Sequence, residues 1–171
     1  MIMVLASIEN GNKRQYTTLM HHSVVQLWNV YRAENPTAPA DVPISFHFCD
    51  NQADADLCAE LVATERKRAT ATSLAELQLA GERIPRPGDY GIVTNWAGEA
   101  KAAIRTTSVE IRRFCDVDAA FAQDEGEGDL TLEWWRMAHD AYYRRVLADS
   151  PYIVNDDLKI ACERFVLLMA G

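Results

Sequence analysis

Short strand patterns joined by turns occupy the middle and the end of this sequence. Segments rich in β-branched and apolar residues predict strands at about Tyr90–Thr94, 102–110, 111–114 and 164–169. No regular alternation with crossover helices links these segments. Because a doubly wound parallel sheet needs that alternation, the pattern predicts an α+β fold whose strands form a small barrel.

Helical segments surround these strands. The sequence predicts helices over 23–32, 50–64, 73–79 and 132–147, and prolines follow the first and the third. At 171 residues, 49% of them hydrophobic, the chain is long enough for one sizeable core and short for two. We therefore predict a single domain over residues 20–171. Residues 1–19 are interpreted as an N-terminal extension, for which we predict no structure.

Two glycines separate three acidic residues in the segment Glu125-Gly126-Glu127-Gly128-Asp129, called the acidic loop below. Glycine adopts backbone conformations that are closed to other residues, so this loop can aim its carboxylates into a cleft. Thr131 then predicts the N-cap of the following helix. The alternative is a solvated acidic loop that caps a structural helix.

A basic turn precedes a short strand of small and β-branched residues. Alternation along this strand places Thr70 and Thr72 on one face, and their small neighbours leave room for a ligand. Lys67 lies between Arg66 and Arg68, whose positive charges disfavour protonation of its amine. We therefore expect Lys67 to have a lowered pKa and to act as a base. The alternative is a solvated basic turn that binds nothing.

Four segments together resemble the ASCH domain family in their order and spacing. The resemblance covers roughly residues 20–169. The four segments are Lys67-Arg68-Ala69-Thr70, Pro87-Gly88-Asp89, the acidic loop with Trp135 and His139 after it, and Cys162-Glu163-Arg164-Phe165. The resemblance implies a PUA-like β-barrel flanked by helices, with a cleft associated with RNA or nucleoside recognition. The chain departs from the family at Glu65, where members often have glycine two residues before the motif lysine.

Amide hydrolysis, from N4-acetylcytidine or a related N4-acylcytidine to cytidine, is the function that we expect from this resemblance. In this hypothesis Thr70 is the nucleophile, Lys67 takes its hydroxyl proton, and Glu127 donates a proton to the departing exocyclic nitrogen. Acidic neighbours in the loop would raise the pKa of Glu127 by like-charge repulsion. No cofactor and no metal are expected for this reaction. The residues expected to bind the substrate are Arg66, Arg68, Thr72, Glu125, Asp129 and Trp134.

Two alternative functions stay open. In a ribonuclease acting on single-stranded RNA, Lys67 or Arg68 would hold the scissile phosphate, and Glu125, Glu127 and Asp129 would hold Mg²⁺ or Mn²⁺. Chelation distinguishes this alternative, because amide hydrolysis by the first mechanism should survive it. The third function is RNA binding without catalysis, with a salt-dependent affinity.

The periodicity of the predicted helix over 132–147 indicates which face His139, Trp134 and Tyr143 occupy. His139 lies on the apolar face, where a hydrogen-bonded structural histidine is more common than a catalytic base. Trp134 and Tyr143 lie off that face and could stack on a nucleobase.

Charge and cysteine usage narrow the partners and the compartment. The net charge of −8 has the wrong sign for tight, sequence-independent binding of long nucleic acid, although a local basic cluster still permits a short RNA. The negative net charge therefore favours a small nucleoside over a polymer as the ligand. The four cysteines form no C-x-x-C pair and no secreted-style framework, which is typical of a reducing cytosol.

The first six residues lack a basic region and are too short for a signal peptide or a membrane span. We therefore expect a cytoplasmic protein with no membrane partner. The sequence predicts no oligomeric state.

Overall fold

Two long antiparallel strands form the frame of the structure, a computed structural model that describes residues 20–171. The predicted N-terminal extension lies outside the described residues. Across the sheet the order is β1-β3-β4-β5-β2, and every neighbouring pair is antiparallel except β1 with β3. In chain order the strands are β1 (Ser45–Phe46), β2 (Ala69–Ser73), β3 (Tyr90–Thr94), β4 (Ala100–Arg113) and β5 (Lys159–Ala170).

The described strands do not close into the predicted barrel. Within residues 20–171, β1 and β2 form the two edges of one open sheet. Strand β4 bends at two register shifts, one between Ala103 and Ile104 and one between Thr106 and Ser108. Irregularities of this kind bend a strand and increase its twist. The predicted α+β class is therefore confirmed, whereas the prediction that the sheet closes into a barrel is wrong.

Strand β4 also joins two segments, 102–110 and 111–114, that we predicted as separate strands. Residues 110–113 stay in the ladder because they pair with residues 159–162, at the start of β5. Strand β5 thus begins five residues before the predicted start at 164. The antiparallel partner, rather than local propensity, sets both boundaries.

All four predicted helices are present with small shifts at their ends, and α4 is an additional short helix. Ser73 begins α3 with a capping box, since its hydroxyl accepts from the backbone N–H of Glu76 and its own N–H donates to the Glu76 carboxylate. Thr131 caps α5, as predicted. The helices are α1 (His22–Glu34), α2 (Gln52–Ala63), α3 (Leu74–Ala80), α4 (Ala119–Glu125) and α5 (Leu132–Val146).

Helices α4 and α5 pack against β2 and β5 through buried aromatic side chains. Ala69 and Ala71 leave room in this layer for Trp135 and Tyr143. The Tyr143 hydroxyl donates to the carbonyl of Ala71 at 3.3 Å. Tyr143 is thus buried in the core beside these small residues. The predicted base-stacking role of Tyr143 is therefore wrong, because no base can reach its ring.

None of the helices between residues 20 and 171 combines the length and the apolar character that a membrane crossing requires.

Candidate active site

A cavity of about 250 Å³ lies between α2, the start of β2, the acidic loop and α5. Phe48, Leu57 and Trp134 are among its apolar lining residues. Its polar lining includes all three residues predicted to be catalytic, Lys67, Thr70 and Glu127, together with Glu125 and His139. The fold therefore brings the basic turn and the acidic loop together, although 58 residues separate Lys67 from Glu125.

Lys67 is the centre of a buried ion network. It is only 2% exposed, and its Nζ lies 3.0 Å from Oε2 of Glu125, which is itself 1% exposed. The same ammonium makes a second, short contact with Oε1 of Glu127. Trp135 Nε1 donates to the other oxygen of Glu125 at 2.8 Å, and the Cys58 thiol donates to Glu127 at 3.4 Å. One ammonium is thus held by two carboxylates that are themselves fixed by neutral donors.

Close backbone packing fixes the position of this network. The N–H groups of Arg66 and Lys67 both donate to the carbonyl of Leu61, at the end of α2. Gly126 ends α4 in the left-handed conformation, with φ +71°, and a Cβ there would lie 2.2 Å from the carbonyl oxygen of Arg66. Only glycine allows this approach. Glu65 also has a left-handed φ of 60°, so it occupies the conformation that the family's glycine would adopt without strain.

The protonation states of Lys67 and Glu127 are opposite to those that we predicted. Burial alone would lower the pKa of Lys67, but the Glu125 and Glu127 carboxylates outweigh it, and the pKa of Lys67 is raised well above its ordinary value. Burial would raise the pKa of Glu127, but the charge and hydrogen bond of Lys67 outweigh it, and the pKa of Glu127 is lowered. The resting site therefore holds an ammonium and a carboxylate.

The flanking arginines do not control Lys67, because both are exposed. The guanidinium of Arg68 lies 3.2 Å from Asp124 and is largely solvated. Neither arginine lines the cavity. The predicted lowered pKa of Lys67 is thus wrong, because the carboxylates that surround its amine come from distant positions in the sequence.

The remaining predicted binding residues divide between the cavity and its surroundings. Trp134 lines the cavity, and its indole lies over Gly128, where a Cβ would come within 2.2 Å of the ring. Thr72 is buried but does not line the cavity. Asp129 is exposed, and its carboxylate accepts from the N–H and the hydroxyl of Thr131 at the start of α5. Asp129 therefore supports the helix cap outside the cavity.

The divalent-metal site of the ribonuclease alternative does not fit this geometry. Glu125 and Glu127 are engaged by Lys67, whereas Asp129 is engaged by Thr131. In the part of the chain from 20 to 171, no three His, Cys, Asp or Glu side chains are grouped so that they could hold a metal ion. The three acids of the loop thus belong to two separate hydrogen-bond systems.

His139 borders the cavity as a hydrogen-bonded residue, as predicted. Its Nδ1 lies 2.9 Å from the carbonyl of Trp135, and its Nε2 lies 3.5 Å from Oε1 of Glu125. Its ring stacks on the Trp135 indole with centroids 4.0 Å apart. These contacts fix the imidazole beside the carboxylate that holds Lys67.

Sequence reasoning missed the thiols of Cys49 and Cys58, which also line the cavity. Their spacing matches no familiar cysteine motif, and the helical period of α2 could only have placed Cys58 on its buried side. Asp50, Asp54 and Arg145 were missed as well, because they reach the rim from separate segments.

Two of the four segments that carry the family resemblance border a different cavity, of about 330 Å³. Asp89 lies there in a paired contact with Arg83, at 2.7 and 2.9 Å. Glu163 accepts a hydrogen bond from the Thr106 hydroxyl at 2.5 Å, and burial raises the pKa of its carboxyl. We take the smaller cavity as the candidate active site because it holds the ammonium, the hydroxyl and the carboxylates together.

Two solved structures are similar to this chain over most of its length. A crystal structure of an ASCH domain from Lactobacillus crispatus JV V101 has a TM-score of 0.80 and 28% identity, over 90% of this chain and 98% of that one. The crystal structure of a protein from Enterococcus faecalis V583 has a TM-score of 0.76 and 27% identity, over 85% of this chain and 88% of that one. A search of curated proteins finds no match.

A family model described as the ASCH domain matches residues 44–169, which include the basic turn, the acidic loop and all but the last residue of β5. The chain therefore belongs to the ASCH domain family.

Proposed function

We propose that this protein is a hydrolase that removes the acyl group from the exocyclic nitrogen of an N4-acylated cytidine nucleoside, such as N4-acetylcytidine. The observation that carries the proposal is the buried contact between Lys67 and Glu127 in a cavity that Thr70 also lines. A paired ammonium and carboxylate beside a hydroxyl can supply a proton donor, a proton acceptor and a nucleophile. No cofactor takes part in the proposed reaction.

The proposed proton transfers follow the resting charges. Glu127, as the carboxylate, accepts the hydroxyl proton of Thr70 while the Thr70 oxygen attacks the acyl carbon. Lys67, as the ammonium, faces the developing oxyanion and then donates a proton to the exocyclic nitrogen as its bond to the acyl carbon breaks. Cytidine leaves, and the acyl group remains as an ester of Thr70.

Water completes the cycle by hydrolysing this ester. After the first half-reaction Glu127 is protonated and Lys67 is neutral, so the amine can accept the proton of the attacking water. The acyl group leaves as the carboxylic acid, and the Thr70 oxygen recovers its proton from Glu127. Both residues return to their resting charges, which the mutual attraction in the network favours.

The size and the charge of the cavity support a nucleoside rather than a polymer. Its volume, about 250 Å³, lies just below the common range of roughly 300–1,000 Å³ for small-molecule pockets. The charged lining comprises four carboxylates and two cations, with His139 counted as neutral. A phosphate would meet a net negative environment there, whereas a neutral acylated nucleoside would not.

The base would lie against apolar side chains. Phe48 and Trp134 offer ring surfaces in the cavity wall, and stacking on an aromatic ring is worth about 1–3 kcal/mol per base. The centroid of the Phe48 ring lies 5.1 Å from the Lys67 ammonium. Stacking there would thus place a cytosine near the proton donor.

The direct test is to incubate the purified protein with N4-acetylcytidine and, separately, with single-stranded RNA, each with and without EDTA. We expect cytidine to form in both nucleoside samples and the RNA to stay intact. Shortened RNA that depends on the metal would favour the ribonuclease. Salt-sensitive RNA binding without turnover would favour a binding domain.

Matched variants test the two roles that matter most. Thr70→Ser should keep measurable turnover and Thr70→Val should lose it, because valine keeps the volume and removes the hydroxyl. Glu127→Gln should lower kcat by roughly 10²–10⁴-fold, the usual contribution of a proton-transferring side chain. Equal rates for threonine and valine at position 70 would show that the hydroxyl is not the nucleophile.

A further inference from the structure

Two thiols face each other in the wall of the candidate active site. The sulfur atoms of Cys49 and Cys58 are 3.7 Å apart, and both side chains line the cavity. A disulfide bond needs about 2.05 Å between the sulfurs, so a closure of roughly 1.7 Å would join them. Cys58 is 2% exposed within α2, whereas Cys49 is only partly buried. The pair is therefore close to bonding geometry, with one member open to the cavity.

The backbone at Cys49 is unusual. Its φ of 63° is left-handed, a conformation that residues with a Cβ rarely adopt. Backbone outliers of this kind are concentrated at functional sites, where the surrounding structure maintains them. Here the strained residue precedes α2, and its thiol contacts Cys58 in the middle of that helix.

The second thiol also touches the proposed proton acceptor. Cys58 Sγ donates to Oε1 of Glu127 at 3.4 Å, the same oxygen that contacts Lys67. The hydrogen bond with Cys49, followed by burial, raises the pKa of the Cys58 thiol, so this thiol stays protonated and remains a donor. A change at Cys58 would therefore reach Glu127 directly.

We propose that Cys49 and Cys58 form a thiol–disulfide site, and that its oxidation switches the active site off by removing the hydrogen bond from Cys58 to Glu127. A peroxide oxidises Cys49, the more accessible thiol, to a sulfenic acid and is reduced to water. The Cys58 thiol then passes its proton to Glu127, its hydrogen-bond acceptor, as its sulfur attacks the Cys49 sulfur. The displaced hydroxyl group takes that proton from Glu127 and leaves as a second water. A dithiol reduces the disulfide and restores both protein thiols, and the dithiol is itself oxidised to a disulfide.

The disulfide can be detected without any enzyme assay. Residues 33–66 contain no internal lysine or arginine, so trypsin releases both cysteines in one peptide. After treatment with hydrogen peroxide, we expect this peptide to be lighter by the mass of two hydrogen atoms and to recover its mass with dithiothreitol. An unchanged peptide, or one that gains only oxygen, would overturn the proposal.

The consequence for Glu127 is measured in two ways. With N4-acetylcytidine as the substrate, we expect the oxidised protein to lose activity on the order of 10²-fold, the usual effect of misplacing a reacting group by about 1 Å, and to regain it with dithiothreitol. We also expect the ¹³C signal of the Glu127 carboxyl to shift on oxidation. Cys49→Ala should show neither oxidative change, relative to its own reduced state.

Further variants separate this inference from the proposed function on which its activity readout rests. Cys115→Ser should keep the wild-type response, because Cys115 lies outside the cavity. Cys58→Ser should retain more turnover than Cys58→Ala, since serine still offers a donor to Glu127. A disulfide that forms while activity and the carboxyl signal stay constant would refute the switch. A protein that lacks deacylase activity but shows both the lighter peptide and the shifted signal would refute only the proposed substrate.

Discussion

Replacing Lys67 by methionine should destabilise the fold substantially, although the sequence placed this residue in a solvated or partly buried turn. Methionine keeps the length of the side chain and removes the charge, which leaves Glu125 and Glu127 without their ammonium. Removing one partner of a buried ion pair costs about 3–5 kcal/mol. Because Lys67 is 2% exposed and Glu125 is 1% exposed, solvent can compensate for little of that loss. For a chain of this size the melting temperature should fall by about 6–20 °C.

The pH dependence gives this prediction its sign. In the native protein the pKa of Glu127 is lowered, so its stabilisation is present above the ordinary pKa of about 4.3 and is lost as the pH falls through the folded value. In Lys67→Met the buried carboxylates lack a countercharge, so their protonation should stabilise the variant as the pH falls. The difference between the two proteins should therefore shrink from about pH 8 to about pH 5.

Urea unfolding followed by tryptophan fluorescence measures both effects, because Trp135 is buried beside the network. Arg68→Met is the matched control, since it removes a neighbouring charge whose partner, Asp124, lies in a solvated surface pair worth about 1 kcal/mol or less. If Lys67→Met costs no more than this control at pH 8, or if its loss is the same at both pH values, the buried network does not stabilise the fold as argued.

Three further predictions concern the turn, the loop and the proton transfers. Gly126→Ala should lower the free energy of unfolding in urea by about 1–3 kcal/mol, because the added Cβ would clash with the Arg66 carbonyl. An unchanged urea midpoint would contradict this packing. Glu65→Gly should raise that free energy by about 0.5–1 kcal/mol, since relief of a left-handed conformation exceeds the added entropy of the unfolded chain; a loss would contradict it. The pH–rate profile should be flat through neutrality, with an acid limb below the ordinary pKa of Glu127 and an alkaline limb above that of Lys67. An alkaline limb near neutrality would show that Glu127 is instead a proton donor with a raised pKa.

The sequence predicted which residue types meet in the cavity better than it predicted their charges. The order of the motifs was enough to bring Lys67, Thr70 and Glu127 to one place. It could not give the pKa of Lys67, because that depends on two carboxylates 58 and 60 residues away and on burial that only the packed fold creates. Helix α4 was missed for a related reason, since seven residues are too few to show a reliable period.

The structure also changes how the acidic loop should be understood. Only part of the loop faces the cavity, because Asp129 belongs to the cap of α5. Glu125 lines the cavity as the buried last residue of α4. Glycine at 126 permits the contact with the basic turn, and glycine at 128 makes room for the Trp134 indole. The two glycines thus allow close packing on both sides of Glu127, which fixes its position. Their role is not only to make the loop flexible.

This arrangement ties the charge of each proposed proton-transferring residue to the other. Lys67 stays an ammonium because Glu125 and Glu127 surround it, and Glu127 stays a carboxylate because Lys67 contacts it. When a proton moves from Lys67 to a leaving nitrogen, Lys67 becomes neutral and no longer keeps Glu127 ionised. The pKa of Glu127 therefore rises in the same step, and Glu127 retains the proton that it has just accepted. Glu125 does not exchange protons in this scheme, because Trp135 and Lys67 hold both of its oxygens. The fixed carboxylate then draws a proton back to Lys67, so the pair returns to the charges with which it began.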